Sequence, residues 1–193
     1  RQRQMCIRDR GNYAMFIHWG LYSKLGNKWN GKTYYGIGEW LMNENMANAD
    51  RDEYKAVART FDPKDFDAMK IAKLAKDAGM KYIILVAKHH EGFCLWDSKY
   101  TDYDVASSGN KTNVIEAVAR ECKRQGMKLG LYYSLWDRKV NVESDRKYNT
   151  YMLKQLDELM DITEKYTKII VEFWFDGSWV KPGYRWPVEG IYR

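Results

Sequence analysis

The chain has 193 residues, 45% apolar and 30% charged, enough for one domain with a sizeable core, and no apolar run approaches the length of a membrane span. Its formal charge of +6 misleads, because four Arg and one Asp in the first ten residues supply +3 of it and no Lys/Arg stripe stands out elsewhere. A nucleic-acid partner is therefore not expected. Residues 5–10, MCIRDR, match the translation of a sequencing-library adapter, so residues 1–10 read as a non-native segment and the natural N-terminus as missing. Cys6 falls in that segment, and Cys94 and Cys122 form neither a CxxC pair nor a disulfide framework.

Residues 13–20, YAMFIHWG, predict a short apolar strand ending at His18-Trp19-Gly20. A polar, Gly-rich loop follows and closes on Glu39-Trp40. From Asp50 the pattern turns helical, first through RDEYKAVARTF and then through DPKDFDAMKIAKLAKDAG, where Asp62-Pro63 offers a helix start and Gly79 a stop. A buried strand spans Tyr82 to Ala87 and ends at His89-His90. After a loop carrying Cys94, Leu95, Trp96 and Asp97, NVIEAVARECKRQG predicts an amphipathic helix that stops at Gly126. KLGLYYS (128–134) is a third strand, and a long helix runs from Asp145 to Tyr166. The fourth strand, KIIVEFWFDG (168–177), reads as buried on both faces and stops at Asp176-Gly177. The last residues, WPVEGIYR, read as the beginning of another helix.

Strands alternating with helices imply right-handed βαβ crossovers and a parallel sheet, hence an α/β fold. No GxGxxG follows the first strand, so the dinucleotide-binding open sheet lacks its fingerprint. Polar side chains end all four strands, as at the rim where (β/α)8 barrels place their sites. Eight strands need about 250 residues. The expectation is therefore a partial (β/α)8 TIM barrel, about the first four βα units, with residues 11–193 the N-terminal part of a domain truncated at its C-terminus.

All three histidines, His18, His89 and His90, sit at strand tips. One such residue is ordinarily a satisfied core histidine, and Asp176 alone could be a turn cap. Together they allow two functional readings. As metal ligands of a hydrolytic barrel they fare badly: His89 and His90 are adjacent, so they should point to opposite faces, and the chain has no HxH pair. As a sugar site they fare better, with the imidazoles and Glu39 hydrogen-bonding hydroxyls, and Trp40, Trp96 and Trp174 packing the apolar face of the ring. Asp176 would then lie under the anomeric carbon, as one of the two carboxyl groups that glycoside hydrolysis needs.

FIHWG (16–20), GEW (38–40), KHHEGF (88–93) with Trp96, GLYYS (130–134) and WFDG (174–177) resemble the successive barrel motifs of the α-L-fucosidases of glycoside hydrolase family 29, in order and across nearly all of residues 13–193. The resemblance implies a retaining exo-α-L-fucosidase acting on fucosylated oligosaccharides or glycoconjugates without metal or cofactor. It assigns Asp176 as nucleophile, and His18, Glu39, Trp40, His89, His90, Tyr132 and Trp174 as substrate-binding residues, Tyr132 being preferred to Tyr133. It also implies a C-terminal β-sandwich, not seen in this sequence, and an extracellular, periplasmic or lysosomal address.

The family's acid/base glutamate lies well beyond the nucleophile. Only Glu189 follows Asp176 here, in the expected last helix. Glu172 is four residues upstream on the same strand, about 13 Å back, while Glu39 and Glu91 match other roles. The acid/base is thus expected outside these 193 residues, the chain alone is expected to be inactive on fucosides with poor leaving groups, and its unpaired strand edges should promote aggregation or dimerisation. A non-catalytic carbohydrate-binding barrel is the alternative. Oligomeric state is not legible.

Overall fold

A computed structural model describes residues 13–138, 145–167, 170–181 and 183–192. The adapter-like segment and Lys168-Ile169 of the last predicted strand lie outside the described residues. Four parallel strands form the sheet: β1 (Ala14–Ile17), β4 (Tyr82–Lys88), β5 (Lys128–Ser134) and β6 (Ile170–Asp176), in that spatial order. A two-stranded ribbon, β2 (Lys28–Trp29) and β3 (Lys32–Thr33), follows the short helix α1 (Leu21–Leu25). The sequence reading saw only a polar loop there.

Three of the helices start where a short polar side chain takes up orphan amide groups. Asp50 caps α2 (Arg51–Arg59) by accepting from the amides of Asp52 and Glu53. Asp67 caps α3 (Ala68–Asp77) through the Lys70 amide. The expected start at Asp62-Pro63 is therefore wrong: that stretch forms turns, with the Phe66 amide donating to the Pro63 carbonyl, and the helix waits for the better cap. Asn113 caps α4 (Val114–Gln125), and Gly126 ends it at φ 71°, where glycine carries no Cβ penalty. α5 (Asp145–Glu164) and the short α6 (Val188–Ile191) complete the helices.

The sheet has two unlike faces. On the convex side Ile83, Leu85, Ala87, Leu129, Leu131 and Tyr133 join Ala72, Ala75, Val118, Cys122, Met152 and Leu159 of the helices in one buried cluster. On the concave side only Ile84, Val86 and Tyr132 are buried together. The Phe16 ring of β1 nevertheless lies 5.2 Å from the Trp174 ring of β6, centroid to centroid, although two strands separate them. Laid flat, β1 and β6 would be about 14 Å apart at the usual strand spacing. The sheet is strongly curled.

β6 is half-buried along its length, not buried on both faces as its composition suggested. It is an edge strand, hydrogen-bonded to β5 alone. Trp174 is 46% exposed and Phe16, on the opposite edge, 38%. Within β6 the pairing shifts by one residue between Leu129–Ile170 and Leu131–Phe173. Gly130 faces that shift, where a Cβ would stand 3.2 Å from the Glu172 carbonyl oxygen.

Candidate active site

All four parallel strands deliver polar side chains to one rim of the concave face. A register shift at the end of β4 decides which ones. Val86 pairs with Tyr132 but Lys88 pairs with Tyr133, so Lys88 turns to the convex side and lies 4.4 Å from the centre of the Tyr133 ring. His89 is thereby aimed to the concave side, stacked on Tyr132 at 4.9 Å. The chain then turns, with the Gly92 amide donating to the His89 carbonyl, and His90 swings to the same site, its ring 4.3 Å from that of His89. The strict alternation that set the two histidines on opposite faces thus fails, because both lie past the last strand residue.

Asp176 ends β6. Its Oδ2 accepts from the Tyr132 hydroxyl at 2.5 Å and its Oδ1 from the Gly177 amide at 2.8 Å. Gly177 sits at φ 83°, and a Cβ there would stand 2.9 Å from Cβ of Trp136, so two requirements converge on glycine. His90 Nε2 faces Asp176 Oδ2 at 3.8 Å, while its Nδ1 lies 2.7 Å from the Ser134 hydroxyl. Burial, with help from His90 and His18, lowers the His89 pKa to about 2; burial also lowers that of His90 to about 4 against the opposing pull of Asp176. Both imidazoles are neutral at neutral pH.

The 3-10 turn Gly38–Trp40 brings up the third side. The carboxylate of Glu39 and ring nitrogens of His18 and His89 lie within 4.8 Å of one another, as do ligand atoms of His89, His90 and Asp176. Neither trio suits a metal. His89 Nδ1 already accepts from the His90 amide at 2.8 Å and its Nε2 is engaged with the Tyr132 hydroxyl at 3.1 Å, so His89 has no free lone pair to offer.

Trp40 stands edge-on to His90 at 5.5 Å and to Trp136 at 5.8 Å, and Trp174 stays open on the concave face. Of the predicted site residues, His18, Glu39, Trp40, His89, His90, Tyr132, Trp174 and Asp176 therefore come together. Trp96 does not. It is fully buried, and its indole N–H donates to Glu158 Oε2 of α5 at 3.1 Å. Glu158 also accepts from the Ser98 hydroxyl and the Lys99 amide, so Trp96 belongs to the staple that fixes the 94–99 loop on the helix. Trp136 and Ser134 were missed; Ser134 was legible as the last residue of GLYYS, whereas nothing in a lone Trp after a strand marks it.

Glu91 is enclosed behind His90, with one carboxyl oxygen lacking a hydrogen-bond partner among the described residues. Gly20 lies against it, where a Cβ would stand 3.0 Å from the Tyr22 ring and 3.4 Å from Glu91 Oε1. Burial raises its pKa to about 8, so the folded chain keeps a proton that the unfolded chain loses near 4.5. Between those values the folded state binds the extra proton, and stability falls as pH rises through the window. Glu91→Gln removes this liability. Its stability relative to wild type, read from urea midpoints, is expected to improve progressively from pH 5 to 8, by roughly 1–3 kcal/mol in all. A difference that does not change with pH would show that Glu91 is not protonated in the folded chain.

The profile described as Alpha-L-fucosidase matches residues 9–192. Among curated proteins, the chain is 36% identical over 172 residues to Alpha-L-fucosidase 1 of Arabidopsis thaliana, a match taking in 87% of this chain and 29% of that protein. Among solved structures, it superimposes with a TM-score of 0.83 on a GH29 alpha-L-fucosidase of Bacteroides thetaiotaomicron, described as a trapped covalent intermediate with 2-fluoro-fucosyl fluoride. Identity there is 35%, covering 93% of this chain and 42% of that one. An alpha-L-fucosidase of Lactobacillus casei in complex with α-L-fucose product also superimposes with a TM-score of 0.83, at 28% identity, covering 98% and 66% of the respective chains.

Proposed function

The chain belongs to the alpha-L-fucosidase family, and from that premise we propose that residues 11–193 are the N-terminal part of a (β/α)8 catalytic domain that removes terminal α-L-fucose from glycans with retention of configuration. The curl that brings Phe16 and Trp174 together supports the barrel, as do matches that take in only 29% of the Arabidopsis relative and 42% of the Bacteroides one. The reading extends to a fucosylated oligosaccharide or glycoconjugate as substrate, met outside the cytoplasm.

One observation carries the chemistry: Asp176 is the carboxylate on which two hydrogen-bond donors converge at the open rim, with neutral imidazoles and aromatic faces around it. One Asp176 oxygen attacks C1 of the fucosyl residue as the glycosidic bond breaks, giving a glycosyl ester. Water then attacks C1 from the opposite face and frees the carboxylate. Tyr132, donating to Oδ2, holds the carboxylate in line for attack at C1. His18, Glu39 and His90 meet hydroxyls, and Trp40 and Trp174 flank the apolar face.

The acid that protonates the leaving oxygen lies outside these residues. Glu91 has the protonation state of such an acid but no access to the rim, and Glu172 faces Tyr82 at the far end of the sheet. The completed protein, incubated with 2-deoxy-2-fluoro-fucosyl fluoride, is expected to form a covalent adduct on the peptide containing Asp176, read by mass spectrometry. Fluoride leaves without an acid, and the 2-fluoro group slows the second step. Sugar binding with no adduct would favour the carbohydrate-binding alternative.

A further inference from the structure

Arg138 stands two residues after Trp136 at the rim, and its backbone is fixed there. The Arg138 amide donates to the His90 carbonyl at 2.9 Å, and Asp137 before it is sealed in an ion pair with Lys88. The guanidinium carbon lies over the Trp136 ring, 5.0 Å from its centre, within cation–π range. A ring contact of this kind leaves the N–H groups to other partners, and their planar fork suits two oxygens of one oxyanion.

The fold supplies no such oxyanion. Among the described residues no ion pair includes Arg138, although its side chain is half-buried. Asp137 faces Lys88, Asp176 accepts from Tyr132 and the Gly177 amide, and Glu91 is enclosed behind His90. Glu44 is the acid whose charge reaches the guanidinium, from an exposed position outside ion-pair distance. Partial burial lowers the Arg138 pKa, and the opposing pull of Glu44 does not cancel it, so the charge is under-compensated. An exposed lysine keeps its hydration, whereas a pinned, half-buried guanidinium has lost part of it.

The Trp136 ring is 5.0 Å from that of His90 and 5.8 Å from that of Trp40, so Arg138 borders the aromatic wall of the sugar site. Its charge reaches inward: after burial, and against the pull of Asp176, it is among the causes that lower the His90 pKa. When a terminal fucosyl ring fills the site, what extends past that wall is the glycan that leaves. We infer that Arg138, held over Trp136, anchors an anionic group on the leaving glycan, a carboxylate or a sulfate, so that acidic glycans are favoured over neutral ones. The glycan in this statement rests on the fucosidase reading; the anion rests on Arg138 alone.

Hydrolysis of meta- and para-carboxyphenyl and sulfophenyl α-L-fucosides by the completed protein is compared with that of the neutral carbamoylphenyl pair. At least one anionic compound should exceed its neutral partner in kcat/KM by about tenfold (about 1.4 kcal/mol), mainly through KM. The preference should shrink as salt rises. Arg138→Gln should abolish it while leaving the neutral compounds within about twofold of wild type. Arg138→Lys should restore part of it, and Glu44→Gln should enlarge it. A larger gain for carboxylate than for sulfonate points to a sugar acid as the natural group, and the reverse to a sulfate ester. Equal kcat/KM for anionic and neutral compounds, or a preference that survives Arg138→Gln, overturns the anchor and leaves the fucosidase reading standing. If no fucoside is cleaved, that reading fails instead and the anchor is judged alone. Hydroxybenzoate should then change the tryptophan fluorescence of the wild type but not of Arg138→Gln, and equal responses would sink it.

Discussion

Asp176→Ala is expected to lower turnover of α-L-fucosides by the completed protein on the order of 10^4-fold or more, with little change in substrate affinity. The carboxylate makes its distinctive contribution, a covalent bond to C1, only on the way to the transition state, so its loss belongs in kcat. Azide supplies a second readout. In the space left by the carboxylate it should restore turnover of an activated α-fucoside, attacking C1 as the leaving group departs and giving the β-fucosyl azide. A loss of less than about tenfold, or a product of unchanged configuration, would remove Asp176 from the nucleophile's place. Tyr132→Phe should fall between this variant and wild type, because it removes one donor and leaves the Gly177 amide in position.

Why Asp176 could be singled out from sequence is instructive beside what could not. The βα alternation, the β5 limits at Lys128 and Ser134 and the Asn113-to-Gly126 frame of α4 follow from period and capping chemistry, which are local. The rim position of His18, His89 and Asp176 followed from polar residues ending apolar runs. Trp96 misled because its motif places it near the site while tertiary packing buries it against Glu158. His89 and His90 misled in the opposite way: ideal alternation separates them, but the register shift at Lys88 and the turn after it reunite them. Nor does a sequence show how far a sheet curls or which strand lies at its edge, and these decide the exposure of Phe16 and Trp174. These misses are matters of contact between distant segments, unlike the local one at Asp62-Pro63, where the Asp67 cap prevailed.

Lys88→Met should destabilise the chain by about 3–5 kcal/mol, the cost of breaking a buried ion pair on one side. Both side chains are sealed from solvent, with Lys88 Nζ 2.9 Å from Asp137 Oδ2. The ammonium also donates to Gln155 Oε1 at 3.3 Å, and that oxygen accepts from the Tyr133 hydroxyl at 2.7 Å. Burial alone would push the Lys88 ammonium down, but Asp137 holds it above its ordinary range. Apolar replacement of both partners should recover most of the loss, so Lys88→Met/Asp137→Leu is expected to unfold at a denaturant midpoint well above either single variant. Singles within about 1 kcal/mol of wild type, or a double variant as weak as their sum, would show that the pair is not coupled. What the pair secures is geometric. Lys88 precedes His89, Asp137 follows Trp136, and the Arg138 amide donates to the His90 carbonyl at 2.9 Å. The ion pair thus ties the tip of β4 to the segment after β5, holding the Trp136 ring 5.0 Å from that of His90. In the double variant stability should return while the contact between the His90 and Trp136 rings loosens, read from the His90 ring resonances, which separates holding the fold together from holding the site in place.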